Sequence, residues 1–166
     1  MKVRTYVLVG IVTLLSVSAI TNDVRSTEGF SPGDLAPRIE SLRNESDFNF
    51  QNHSGRYTLL NFWAAYDAES RARNTKLSNE VNKLSSEKIA LRAISFDENE
   101  SIFSETVKID NLNEATQFHA GQLNKSELFQ KYNLKRGLRN FLIDDKGVIV
   151  ATDVTPEELK NVLNTI

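Results

Sequence analysis

Residues 59–71 read LLNFWAAYDAESR. An apolar run ends at Trp63, passes through Ala64, Ala65 and Tyr66, and meets Asp67-Ala68-Glu69-Ser70-Arg71. From Tyr57 to Trp63 the residues are almost continuously apolar or aromatic, which is the pattern of a strand covered on both faces. Asp67 stands where a helix starts: its carboxylate can accept from the free N–H groups of a first turn, and its charge suits the positive end of the helix dipole. Ala68, Ala72, Leu77, Val81 and Leu84 then recur at helical spacing. A buried strand feeding a capped helix is the building unit of an α/β sheet, and the turn between them is where such proteins place their chemistry. The functional question is which group at this turn can react.

Working outward, residues 89–96 (IALRAISF) predict a second buried strand that ends at Asp97-Glu98-Asn99. Ile102, Phe103, Val107 and Ile109 predict a shorter helix, and residues 116–119 a small strand. Asn124 with Glu127 forms a capping-box pattern ahead of Leu128, Phe129 and Tyr132. Residues 141–151 read as a hairpin turning at Asp145-Lys146-Gly147. Thr155, Pro156 and Glu158 then open a final helix with Leu159, Val162, Leu163 and Ile166 on one face. Upstream, Pro32-Gly33-Asp34 and Ala36-Pro37 mark turns before Ile39 and Leu42, and His53-Ser54-Gly55 marks another. Right-handed crossovers place the two buried strands parallel and adjacent, with the hairpin antiparallel beside them. The expected architecture is α/β: a mixed sheet between helical layers.

The chain has 166 residues, enough for one domain with a core that needs no covalent staples. Its formal charge is −2 and its basic residues do not cluster, which excludes nucleic acid as a partner. Residues 1–19 have the layout of a signal peptide, with Lys2 and Arg4 ahead of an apolar stretch and a small-residue site at Val17-Ser18-Ala19. Residues 20–30 read as a linker and residues 31–166 as the domain. Cleavage leaves no membrane-inserted segment; an uncleaved leader would tether the domain to a membrane. The chain contains no cysteine, so thiol chemistry and cysteine metal sites are excluded.

Four phrases carry a family resemblance: GDLAP at 33–37, SGRYTLLNFWA at 54–64, AISFDE at 93–98 and FLIDDKGVIVA at 141–151. In order and spacing they resemble the thioredoxin fold, in particular its TlpA-like and peroxiredoxin-like (redoxin) branch of exported thiol-disulfide proteins. The resemblance implies a thioredoxin-like three-layer sandwich over residues 31–166 and, with the leader, a periplasmic location. In that family the NFWA phrase is followed, two residues on, by Cys-x-x-Cys-Arg. Matched by position, the cysteines fall on Asp67 and Ser70, the arginine on Arg71, and the usual tryptophan on Tyr66. The family's cis-proline falls on Leu138, where a cis bond would cost about 2.5–4 kcal/mol without proline, so a trans bond is expected. The proline often found inside the first helix is replaced by Thr75, which predicts a straight helix.

Nothing else in the sequence takes over the missing chemistry. Asp67 and Glu69 are two apart and do not share a helix face, and neither histidine, His53 or His119, belongs to a local hydrolase or metal motif. No metal or cofactor is expected. Phe62 and Trp63 are expected in the core with Tyr66 exposed, and Arg71, Arg73, Arg136 and Arg139 as solvated arginines at one end of the sheet. The expected role is a non-enzymatic binding or accessory domain that meets a protein or peptide through Tyr66, Leu138 and Arg139. Two alternatives stay open: a degenerate thiol-disulfide oxidoreductase or peroxiredoxin relative, and an enzyme of another class reusing Asp67 and Ser70.

Overall fold

The computed structural model describes residues 27–39, 48, 50–52, 55–121 and 125–164. The predicted leader over residues 1–19, Leu42, His53, Ser54, Ile166 and the Asn124 half of the capping box lie outside the described residues. Five strands form one sheet: β1 (Tyr57–Trp63), β2 (Ile89–Ser95), β3 (Gln117–His119), β4 (Asn140–Ile143) and β5 (Ile149–Thr152), in the order β3-β2-β1-β4-β5. Among the described residues four α-helices lie between and after them, α1 (Ala68–Val81), α2 (Glu100–Ile109), α3 (Lys125–Lys131) and α4 (Pro156–Asn164). β2 runs parallel to β1 with Tyr57 opposite Ile89 and Trp63 opposite Ser95. β4 runs antiparallel on the other side, with Leu60 opposite Phe141.

Because β1 is central, its alternating residues feed two cores. Leu60 and Phe62 point into one with Ile94, Phe96, Phe141, Tyr132 and Leu134, closed by Ala36, Ile39, Phe48 and Phe50 from the N-terminal segment. There Phe62, Tyr132 and Phe141 meet as tilted and edge-on rings with centroids 5.0–6.1 Å apart, and the Tyr132 hydroxyl donates to the Pro37 carbonyl. Burial pushes the Tyr132 phenol well above its ordinary range. Leu59 and Trp63 point into the other core, with Leu77 and Val81 of α1, Val107 of α2, and Leu159 and Leu163 of α4. Full burial of side chains of this size stabilises by about 1.5–3 kcal/mol each. The sheet with its two covered faces therefore fixes the carboxyl end of β1, where the candidate site lies.

The helix after β1 departs from its expected stripe. Ala68 and Ala72 are exposed, and the inward face is Ser70, Asn74, Leu77, Ser78 and Val81. Polar residues are tolerated there because they are bonded to one another. Asn61 Nδ2 donates to Asn74 Oδ1 at 2.9 Å, Asn74 Nδ2 to Gln117 Oε1 at 3.0 Å, and Gln117 Nε2 to Ser78 Oγ at 3.4 Å. This chain of buried amides links β1, α1 and β3. α1 runs unbroken through Thr75 for 14 residues. In α2, Val107 is buried while Ile102 and Ile109 face solvent, so only part of the expected apolar face is used.

The hairpin and last helix form as expected. Asp144 Oδ1 accepts from Lys146 N at 2.9 Å and Val148 N at 2.8 Å, and Gly147 takes φ +85° in the turn. Glu158 closes the box at α4: its carboxylate accepts from Thr155 N at 2.9 Å and Thr155 Oγ1 at 3.0 Å, while Thr155 Oγ1 accepts from Glu158 N at 3.2 Å. These bonds hold the Glu158 carboxyl below its ordinary value. A carboxylate depressed in the folded state adds stability above its unfolded pKa and loses it as pH falls through the folded one. Acid titration of unfolding is therefore expected to show a stability loss below the ordinary glutamate range that is smaller in Glu158→Gln; identical profiles for the two proteins would remove the box from the account.

Candidate functional site

The turn from Trp63 to Ser70 is held from inside. Phe96 N donates to the Trp63 carbonyl at 2.8 Å, and Ala65 N donates to both oxygens of the Asp97 carboxylate at 2.9 and 3.1 Å. Asp97 is only 2% exposed; its Oδ2 also accepts from Ser95 Oγ at 2.7 Å. On the helical side, Asp67 Oδ1 accepts from Glu69 N at 3.2 Å and Ser70 N at 3.3 Å, the expected cap. Ser70 is 1% exposed, and its hydroxyl accepts from Ala64 N at 3.2 Å and donates to the Asp67 carbonyl at 3.2 Å. Phe62 and Trp63 are fully buried, whereas Tyr66 is 71% exposed at the tip of the turn. Partial burial, followed by the charges of Asp97, Asp67 and Glu98, raises the Tyr66 phenol above its usual value.

Facing α1 across a cleft of about 340 Å³ is the loop before β4. Leu138 there is largely buried, its preceding peptide is trans, and its carbonyl accepts from the Arg73 guanidinium. The next residue, Arg139, gives its carbonyl to Phe62 N at 2.9 Å. Its side chain pairs with Asp153 and packs over the Phe141 ring at 5.7 Å. Arg136 is exposed on the cleft wall. Arg71 is directed elsewhere, in a two-bond pair with Asp110 at 2.7 and 2.6 Å. Of the four arginines, three line the cleft and one does not, and Arg71, Arg73 and Arg139 are bonded rather than simply solvated.

No family model matches this chain, and no curated protein does. Solved structures do. A thioredoxin-like protein from Parabacteroides distasonis is 62% identical, with 83% of this chain and 98% of that chain covered at a TM-score of 0.76. The chain belongs to the thioredoxin-like family. A thiol-disulfide oxidoreductase from Bacteroides fragilis is 30% identical over 67% of this chain and 81% of that one, with a TM-score of 0.54. A thiol:disulfide interchange protein from a Bacteroides species shares the fold at 21% identity and a TM-score of 0.66, covering 82% of this chain and 90% of that one.

In this thioredoxin-like chain Asp67 and Ser70, which the sequence resemblance matches to the two cysteines, are parts of the turn. The Asp67 carboxylate caps α1 and the Ser70 hydroxyl bridges two backbone groups inside the protein, so Ser70 is shielded and, among the described residues, donates to a backbone carbonyl rather than to a base. His119, the histidine within the described residues, makes a 2.9 Å contact through Nε2 with the Asp97 carbonyl and stacks on Phe103. Among the described residues no three His, Asp or Glu side chains are grouped to hold a metal ion. Asp67→Asn, which keeps an acceptor at the cap, is expected to leave stability within a few tenths of a kcal/mol, and Asp67→Ala to cost about 1 kcal/mol. Urea unfolding of the two variants checks this; equal losses would mean that the carboxylate acts by charge alone.

Sequence reasoning missed Asp97. Its signal was a Ser-x-Asp at the end of a buried strand, a place where α/β sheets hold polar groups, but the partner that gives it meaning, the Ala65 amide, is 32 residues away.

Proposed function

We propose that this thioredoxin-like protein acts without thiol redox chemistry, as a binding or accessory domain of the cell envelope that meets a protein or peptide at the face around Tyr66, Leu138 and Arg139. The observation that carries the reading is that Ser70 is buried and bonded within the turn and Asp67 caps α1, while the neighbouring Tyr66 is left exposed. Leu138 contributes mainly shape and backbone, since its side chain is largely buried and its carbonyl is held by Arg73. Arg136 and Arg139 supply charge on the same wall. Export to the periplasm belongs to this proposal; it is supported by the leader-like residues 1–19 and by the family. No helix among the described residues is long and apolar enough to cross a membrane.

Two measurements test it. The purified protein is expected to reduce insulin and consume peroxide no faster than blank, and turnover well above blank would overturn the non-redox part. A photo-crosslinking residue in place of Tyr66, used in the organism's envelope fraction, is expected to capture a reproducible partner that is lost when Arg139→Glu is added. Capture that is indifferent to Arg139 would remove the cleft from the interface. Loss of catalytic activity in Asp67→Asn, for any reaction found, would instead favour an enzyme reusing this residue.

A further inference from the structure

A second depression, of about 550 Å³, borders Tyr66 and shares no residue with the arginine cleft. Its floor is aromatic: Phe96 and Phe129 meet edge to face with centroids 5.0 Å apart. Tyr66 and Ile102, 71% and 47% exposed, form its sides. That volume lies in the range of ordinary ligand sites, and the two exposed side chains are contiguous with the aromatic floor.

The charges select the occupant. Lys125 is bound to the wall, its ammonium donating to the Phe96 carbonyl at 3.2 Å and the Asp97 carbonyl at 3.0 Å, and the lining sets this one cation against the two carboxylates of Asp97 and Glu98. Glu98, exposed at the rim, has no ion-pair partner among the described residues. With the Asp67 carboxylate on the far side of Tyr66, an aromatic groove is left with uncompensated negative charge. A planar, weakly hydrated cation fits both features, because it stacks on aromatic faces and pairs with a carboxylate in one geometry. A leucine would use the floor and leave Glu98 idle; a glutamate would be repelled by it.

We infer that this groove receives an arginine side chain of a partner segment, stacked against Tyr66 with Glu98 as counter-ion. The inference rests on the peptide-binding reading above and specifies the chemistry of the peptide. The probe is a set of end-blocked hexapeptides, Gly-Gly-Arg-Ala-Gly-Gly with leucine or glutamate in place of arginine, titrated into the isotope-labelled full chain and followed by amide NMR shifts. The arginine peptide is expected to shift Tyr66, Glu98 and Ile102, and to bind about two- to fivefold tighter than the leucine peptide, the span of an exposed cation–π contact. Glu98→Gln, an exposed change that should not disturb folding, is expected to reduce that preference, and Lys146→Gln, on the exposed hairpin turn away from both clefts, to leave it unchanged. Equal binding of the arginine and leucine peptides, no binding of either, or shifts confined to Gly137 and Arg139 would overturn the inference. Any of those results together with an Arg139-dependent Tyr66 crosslink would leave the binding role standing and remove only the arginine; absence of both would remove both.

Discussion

The triple variant Asp67→Cys, Ser70→Cys, Leu138→Pro is expected to reduce insulin disulfides at a rate well above blank, where the parent chain gives none. Position 67 is the N-cap of α1, so a sulfur there sits at the positive end of the helix and its thiolate is favoured. Position 70 lies three residues on, over the same turn, and is 1% exposed. The first thiolate can attack a substrate disulfide and release one of its sulfurs as a thiolate, and the shielded second thiol can then displace the mixed disulfide, leaving residues 67 and 70 oxidised. Proline at 138 sacrifices no backbone hydrogen bond seen in the loop and removes a side chain that now fills it. The substitutions have a cost: losing the Asp67 cap costs about 0.5–2 kcal/mol, and losing the Ser70 hydroxyl gives up two bonds of about 1 kcal/mol each. Circular dichroism establishes whether the variant folds. A folded triple variant with no disulfide exchange would mean that 67, 70 and 138 are not the cysteine and proline positions.

The second large effect is expected at Asp97. Replacement by alanine leaves the Ala65 amide and the Ser95 hydroxyl without the acceptor they share. Because the carboxylate is 2% exposed, water does not readily take its place. Hydrogen bonds to a charged group are worth about 1.5–3 kcal/mol, and stranded buried donors add to the loss. Asp97→Ala is expected to lower unfolding stability by about 2–4 kcal/mol, measured by urea denaturation, whereas Asp97→Asn, which retains an acceptor, should lose less. If alanine and asparagine behave alike and both lose under about 0.5 kcal/mol, the turn is held by the strand ends alone.

The contrast between what could and could not be read from the sequence follows the range of the interactions. β1 matched its predicted bounds because seven nearly continuous apolar and aromatic residues admit one reading. Asp67, the hairpin turn at Asp145 to Gly147 and the Thr155–Glu158 box are local patterns, and all appear in the structure, the turn with Asp144 as its acceptor. The inward face of α1 was misread because Asn74 and Ser78 look like surface residues until Asn61 and Gln117, on two different strands, are brought against them. The arginines divide for the same reason: Asp110 claims Arg71 from 39 residues away and Asp153 claims Arg139 from the end of β5. At the candidate site the loss of thiols was legible as bare composition. That Ser70 is buried and bonded within the turn, and that a separate aromatic groove borders Tyr66, emerged only with the tertiary fold.

Trp63 gives the buried end of β1 a practical consequence. It is the chain's one tryptophan, fully buried among Leu59, Leu77 and Phe103, seven residues ahead of Ser70. Its indole N–H has no hydrogen-bond partner among the described residues. An indole in so apolar a setting emits at short wavelength, and unfolding moves it into water, so the chain carries its own optical reporter at the root of the candidate site. Emission from this single ring can follow the opening of the β1–α1 turn in every variant named above without a label.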